Sequence, residues 1–134
     1  MSSRPPIVLT FAASDPTGGA GLQADLLTLA GMGCHPLSVL TALTVQDTSG
    51  VESLHAMDAE RVRAQAELVL AETRVAAFKL GVLGSAANIH AVAAILEDHP
   101  EVPVVVIDDV ELALEIDAAG SHLGRDDVEL GMAR

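Results

Sequence analysis

The sequence predicts an α/β fold built on a mostly parallel sheet, and two observations carry that expectation. Apolar runs alternate along the chain with segments of helical spacing, in the order strand, helix, strand, helix, strand, helix, strand. A loop with three glycines, inside "AASDPTGGAGLQAD" (Ala12 to Asp25), joins the first apolar run to the first amphipathic one.

Each element has a local reason. "IVLTFA" (Ile7 to Ala12) reads as a buried strand whose start is fixed by Pro5 and Pro6. After the glycine loop, Leu22, Leu26, Leu29 and Ala30 mark one face of a helix, which Gly31 and Gly33 end. "PLSVLTALT" (Pro36 to Thr44) is the second strand, and "VQDTSGVESLHAM" reads as a polar connection. Asp58 suits the N-cap of a helix burying Val62, Ala66, Val69 and Leu70. "AAFKLGVLG" (Ala76 to Gly84) is the third strand and its exit. Ser85 caps a helix carrying Ile89, Val92, Ala93 and Leu96, and "VPVVVID" (Val102 to Asp108) is the fourth strand. From Asp109 the period is lost, and seven acidic residues stand against two arginines, so 109–134 reads as a weakly ordered acidic tail.

Composition narrows the function. In 134 residues, 50% of them hydrophobic, one domain with a sizeable core is expected. Seven Lys and Arg against 19 Asp and Glu give a formal net charge of -12, which repels nucleic-acid phosphates and anionic membrane surfaces. The single Cys34 excludes an internal disulfide and a multi-cysteine zinc site, reads as a packing residue, and fits the cytoplasm. The five histidines show no metal-ligand spacing, so no metal site is expected, and no run reaches the roughly 20 apolar residues of a membrane span.

The glycine loop admits two readings at this level. Glycines before a helix can turn bare amides toward a phosphate, or they can serve a tight turn and a close helix approach. "GGAG" lacks the Lys-Ser/Thr of a Walker A loop, its spacing is not G-x-G-x-x-G, and no acidic residue ends the second strand, so nucleotide cradles of the common kinds do not fit.

Three motifs in register say more. "SDPTGGAGLQADL", "SVLTALTVQDT" and "FKLGVLGS", following a leading strand, resemble the first half of the bacterial hydroxymethylpyrimidine and phosphomethylpyrimidine kinases of thiamine biosynthesis, members of the ribokinase-like superfamily. The match runs from about Pro6 to Asp108. It implies a three-layer α/β/α fold and ATP-dependent phosphorylation of 4-amino-5-hydroxymethyl-2-methylpyrimidine and its monophosphate, and it makes the glycine loop part of the acceptor pocket rather than a nucleotide site.

By that resemblance, Asp25 is a pocket aspartate and Gln46 is the residue that hydrogen-bonds the aminopyrimidine, a task that suits a carboxamide with a donor and an acceptor in one plane. Ala13 stands where many relatives have glycine, and Val82 where relatives often have Met over the ring. Without the motif, Asp25 would read as a solvated helix residue and Gln46 as an ordinary polar loop residue. Lys79, the only lysine, lies in an apolar strand, as a buried catalytic amine or as a snorkelling or ion-paired side chain.

The resemblance covers the acceptor half alone. It implies ATP and Mg²⁺, yet Asp108 is followed by Asp109 where relatives have proline, and the nucleotide-binding half and the catalytic base are not recognisable, so no catalytic residue is assigned. The expectation is therefore an acceptor-binding half over 1–108, a sheet truncated after about four strands, and a divergent tail over 109–134. An open sheet edge of that kind predicts a homo-oligomer or a complementing chain. Two alternatives stand beside the kinase: a non-catalytic pyrimidine-binding module, and a relative acting on a pyridoxal-type vitamin.

Overall fold

The computed structural model describes residues 3–107 and 120–122. Three parallel neighbours, β1 (Ile7–Ala13), β2 (His35–Gln46) and β4 (Ala77–Leu80), form the centre of the sheet. β5 (Val104–Ile107) continues it in parallel beside β4, and β3 (Val51–Ala56) lies antiparallel on the outer side of β2. The backbone of Gly120–His122 adds a short parallel strand, β6, beside β5, giving the order β3-β2-β1-β4-β5-β6. The remainder of the predicted tail, with Asp108 and Asp109, lies outside the described residues.

The chain leaves β1 in one direction through helix α1 (Gly21–Gly31). It returns past β1 through α2 (Ala59–Glu72), and α3 (Ala86–Glu97) then joins β4 to β5. Parallel crossovers are right-handed, so this reversal of direction puts α1 on one face of the sheet and α2 with α3 on the other. The strands alternate accordingly. Leu37, Leu9, Phe78 and Val104 form one row across the sheet, and Val39, Phe11, Leu80 and Val106 form the next. Both rows pack with Val62, Ala66, Val92, Ile95 and Leu96 into the hydrophobic core. Between them, on the opposite face, runs the row Ser38, Thr10, Lys79 and Val105.

The four predicted strands and three predicted helices are present, and both predicted caps form: Asp58 accepts from the Arg61 N–H and Ser85 from the Asn88 N–H. Two expectations are corrected. The polar connection after Thr44 is a hairpin. β2 outruns β1, whose pairing ends at Ala42, so its last residues gain a partner only by folding β3 back on them. Asp47 makes that turn by accepting from the Ser49 and Gly50 N–H groups. The buried face of α3 is also rotated from the predicted one. Asn88, Ala91, Val92, Ile95 and Leu96 are buried, whereas Ile89 is 40% exposed and Ala93 is half-buried. The rotation follows from Asn88, whose amide is drawn inward by three backbone carbonyls.

Candidate functional site

At the carboxyl ends of the parallel strands, the loop after β1 turns toward α1 while the loop after β4 turns toward α3. Open α/β sheets bind ligands in the crevice this divergence leaves. Here it is a cleft of about 490 Å³, and Ala13, Asp25, Gln46 and Val82 all line it, with Lys79 among them. A larger hollow of about 610 Å³ lies at the opposite end of the sheet around Thr73–Ala76 and Val102, away from every residue predicted for the site.

The loop between β1 and α1 is organised by Asp15, which is 3% exposed. Its carboxylate accepts from the Thr17 N–H and hydroxyl, both at 2.9 Å, and from the Ala20 N–H at 2.9 Å. The Thr17 N–H is the main reason its carboxyl is held below the ordinary 3.8, against the opposing pull of burial. The other amides from Ser14 to Ala20 are also taken: Ser14 N–H by Ala42 O, Asp15 N–H by Gln23 Oε1, Gly18 N–H by Asp15 O and Gly19 N–H by Thr17 Oγ1. Pro16 has none. No amide from Ser14 to Ala20 is left bare for a phosphate, and the loop is held together by its own bonds. Gly21 supplies the other requirement. Its φ is +62°, and a Cβ there would stand 2.5 Å from the Ala13 carbonyl oxygen, so α1 approaches the end of β1 only because this residue is glycine.

That approach brings Asp25 of α1 over the polar row of the sheet. Asp25 Oδ2 accepts from Thr10 Oγ1 at 2.7 Å and from Lys79 Nζ at 2.5 Å. Thr10 is fully buried, and the ion-paired side chains are 14% and 15% exposed. Lys79 is therefore the ion-paired lysine of the two readings the sequence left open, and Asp25 is not a solvated helix residue. Both protein donors use the same oxygen. Among the described residues no donor takes Oδ1, which leaves this carboxylate an acceptor for a ligand in the cleft.

Gln46 ends β2 on the other side of the cleft. The Thr44 hydroxyl lies 2.5 Å from Ser14 O and 2.7 Å from Gln46 Oε1, and its one proton cannot serve both acceptors fully. With that proton on Ser14 O, the network is satisfied when the amide turns over and its NH₂ donates to Thr44 Oγ1. The second N–H and the oxygen then remain for a ligand, side by side. Ala13, 5% exposed, lies below, and Val82, 57% exposed, stands at the rim with Val51 and Leu54 of the hairpin.

The sequence predicted four lining residues and the cleft gathers all four. It missed Thr10, Asp15 and Thr44, which hold the others. Asp15 had a signal, an Asp-Pro followed by Thr two residues on, the pattern of an Asx turn. Thr10 and Thr44 had none, because a threonine in a strand is unremarkable until its neighbours are known.

Residues 15–128 match the phosphomethylpyrimidine kinase family. The chain belongs to that family. It is 46% identical over 102 residues to the hydroxymethylpyrimidine/phosphomethylpyrimidine kinase of Streptomyces coelicolor, covering 76% of this chain and 38% of that protein. With the enzyme of the same description from Salmonella typhimurium it is 43% identical over 105 residues, 78% of this chain and 39% of that one. Among solved structures, phosphomethylpyrimidine kinase from Clostridium difficile 630 superposes with a TM-score of 0.73 at 34% identity, over 77% of this chain and 45% of that one. Pyridoxal kinase from Staphylococcus aureus, in complex with AMP-PCP and pyridoxal, gives 0.76 at 25% identity, over 89% and 48%. The fold is thus ribokinase-like. The chain spans less than half the length of these relatives.

ATP use is implied by the family. When bound, ATP supplies the phosphoryl group. The described residues offer little for that role: the amides of Ser14–Ala20 are consumed internally, the one lysine is tied to Asp25, and no cluster of His, Cys, Asp and Glu suited to a metal occurs among them. No step of phosphoryl transfer is assigned to them. No helix among the described residues is long and apolar enough to cross a membrane.

Proposed function

We propose that this chain forms the acceptor side of an ATP-dependent phosphorylation of 4-amino-5-hydroxymethyl-2-methylpyrimidine and of its monophosphate. The observation that carries the reading is the pairing, across one cleft, of the Gln46 carboxamide with the free oxygen of Asp25, between the apolar surfaces of Ala13 and Val82. An aminopyrimidine presents an amino donor beside a ring-nitrogen acceptor, and a carboxamide answers both in one plane. Asp25 accepts a further hydrogen bond from the ligand while Lys79 and Thr10 hold it in place. The same reading puts the protein in the cytoplasm, where ATP is available and Cys34 stays reduced.

A second reading, a pyrimidine-binding module without catalysis, is supported by one observation: the described residues form the cleft lined by Ala13, Asp25, Gln46 and Val82, while no metal-ligand cluster occurs among them. ADP release by the purified chain with Mg-ATP, with and without the pyrimidine, separates the two. Pyrimidine-dependent turnover supports the kinase, and binding without turnover supports the module. In either case Gln46→Ala is expected to weaken pyrimidine binding by about 1–3 kcal/mol in calorimetric titration, and an unchanged affinity would sink the assignment of Gln46.

A further inference from the structure

Val82 reaches the cleft from a loop, Gly81–Gly84, that has no secondary structure of its own, so something outside the cleft must fix it. Three contacts do. The Thr41 hydroxyl donates to Val82 O at 2.6 Å. Gly84, at φ +89°, lets the loop lie so close to the hairpin that a Cβ would stand 3.1 Å from Ala42 Cβ and 3.4 Å from Ala56 Cβ. The third is Asn88, fully buried in the first turn of α3.

The Asn88 amide lies where three segments meet. Its Nδ2 is 2.9 Å from Leu83 O, 3.0 Å from Met57 O and 3.2 Å from Thr41 O. Two protons cannot satisfy three acceptors equally. Thr41 O is already served by the Met57 N–H at 2.8 Å, so the two protons go to Leu83 O and Met57 O, for which the described residues show no other donor. Asn88 Oδ1, on the other side, is buried without any partner. Leaving an acceptor unpaired is costly, and the side chain tolerates that cost in order to place both donors. One amide thereby joins the loop that carries Val82 to the residue that ends the hairpin whose first strand carries Gln46.

We infer that Asn88 is a positioning residue for the acceptor cleft, setting the separation of Val82 from the Gln46 hairpin through Leu83 and Met57. The inference rests on the pocket reading above for its effect on binding, but its structural core does not need a ligand.

The test therefore has two arms on the full chain. In ligand-free methyl spectra, Asn88→Ala is expected to move the Val82 methyl resonances, whereas Val62→Ala, a core variant chosen to lower Tm comparably, leaves them in place. Val82 resonances that coincide with wild type in Asn88→Ala would overturn the inference. Should that variant not fold, Asn88→Ser, which keeps one donor, is read at the same resonances, where a shift supports the inference and coincidence with wild type overturns it. In titrations with the aminopyrimidine, Asn88→Ala is expected to bind roughly tenfold more weakly, the order of one misaligned hydrogen bond. Val82→Ala should weaken binding in wild type and add little in the Asn88→Ala background, the coupling that a uniform loss of stability does not give. Weaker binding in Gln46→Ala with none in Asn88→Ala overturns the positioning role alone. Unchanged binding in Gln46→Ala counts against the pocket reading, while the methyl spectra still decide Asn88.

Discussion

The two faces of this sheet are built on different principles. On the face under α2 and α3, two continuous apolar rows meet the two helices, and Leu9, Phe11, Val39 and Phe78 are wholly buried. On the face under α1, the intervening row is Ser38, Thr10, Lys79 and Val105, and α1 itself has no buried residue. The first face is held by non-directional burial, the second by directional bonds to Asp25. That difference locates the cleft. A ligand site needs polar groups held in place yet reachable, and only the α1 face provides them.

If the division is right, truncation on the dry face should cost the most. Phe11→Ala is expected to lower stability by about 3–5 kcal/mol in urea unfolding, the usual cost of emptying an aromatic core position. A loss below about 1 kcal/mol would mean that the two faces do not differ as described. On the polar face, Lys79→Met should cost less, about 1.5–3 kcal/mol, because it removes one charge-assisted bond and leaves Thr10 on Asp25. Combining it with Asp25→Leu should cost less than the two single changes added together, which a double-mutant cycle measures. Additive losses would show that the two charges do not depend on each other.

Gly21→Ala sits at the seam, where α1 meets the sheet. Its positive φ and the nearby Ala13 carbonyl predict a loss of about 1–2 kcal/mol from conformation alone, accompanied by weaker pyrimidine binding as α1 and Asp25 move away. Stability loss with unchanged affinity would separate the seam from the site.

The smallest effect is the pH dependence of the loop. Asp15 has its folded pKa lowered, chiefly by the Thr17 N–H, so its contribution to stability is complete above the ordinary 3.8 and is lost as pH falls through the lower folded value. Asp15→Asn keeps the shape and removes that ionisation. The acid limb of stability should then be shallower below about pH 4 than in wild type. Identical slopes would mean that the loop carboxylate does not sense folding.

Much of this was legible in the chain itself, for reasons that differ from residue to residue. Helical and strand periodicity placed four strands and three helices because burial on one side imprints a period on the sequence. Asp58 and Ser85 announced their caps because capping is a bond within three residues. β3 left no such imprint: Val51–Ala56 is almost wholly exposed, so no buried face patterns it, and only its pairing to β2 makes it a strand. Asn88 misled the reading of α3 because a polar residue is assigned to solvent unless its partners are known, and all three of its carbonyls come from outside its own helix.

Legible along the chain were the α/β class, the order of the central elements, the family resemblance, and four of the residues that line the cleft. Each of these is written in local spacing or in motifs that stay together along the chain. Only the tertiary structure decided what the glycine loop does, which partner Lys79 takes, and which oxygen of Asp25 is left free. Those answers depend on residues as far apart as Thr10, Asp25 and Lys79 meeting in one place. The physical reason is that hydrogen bonds and ion pairs are specified by distance in space, and only folding sets that distance.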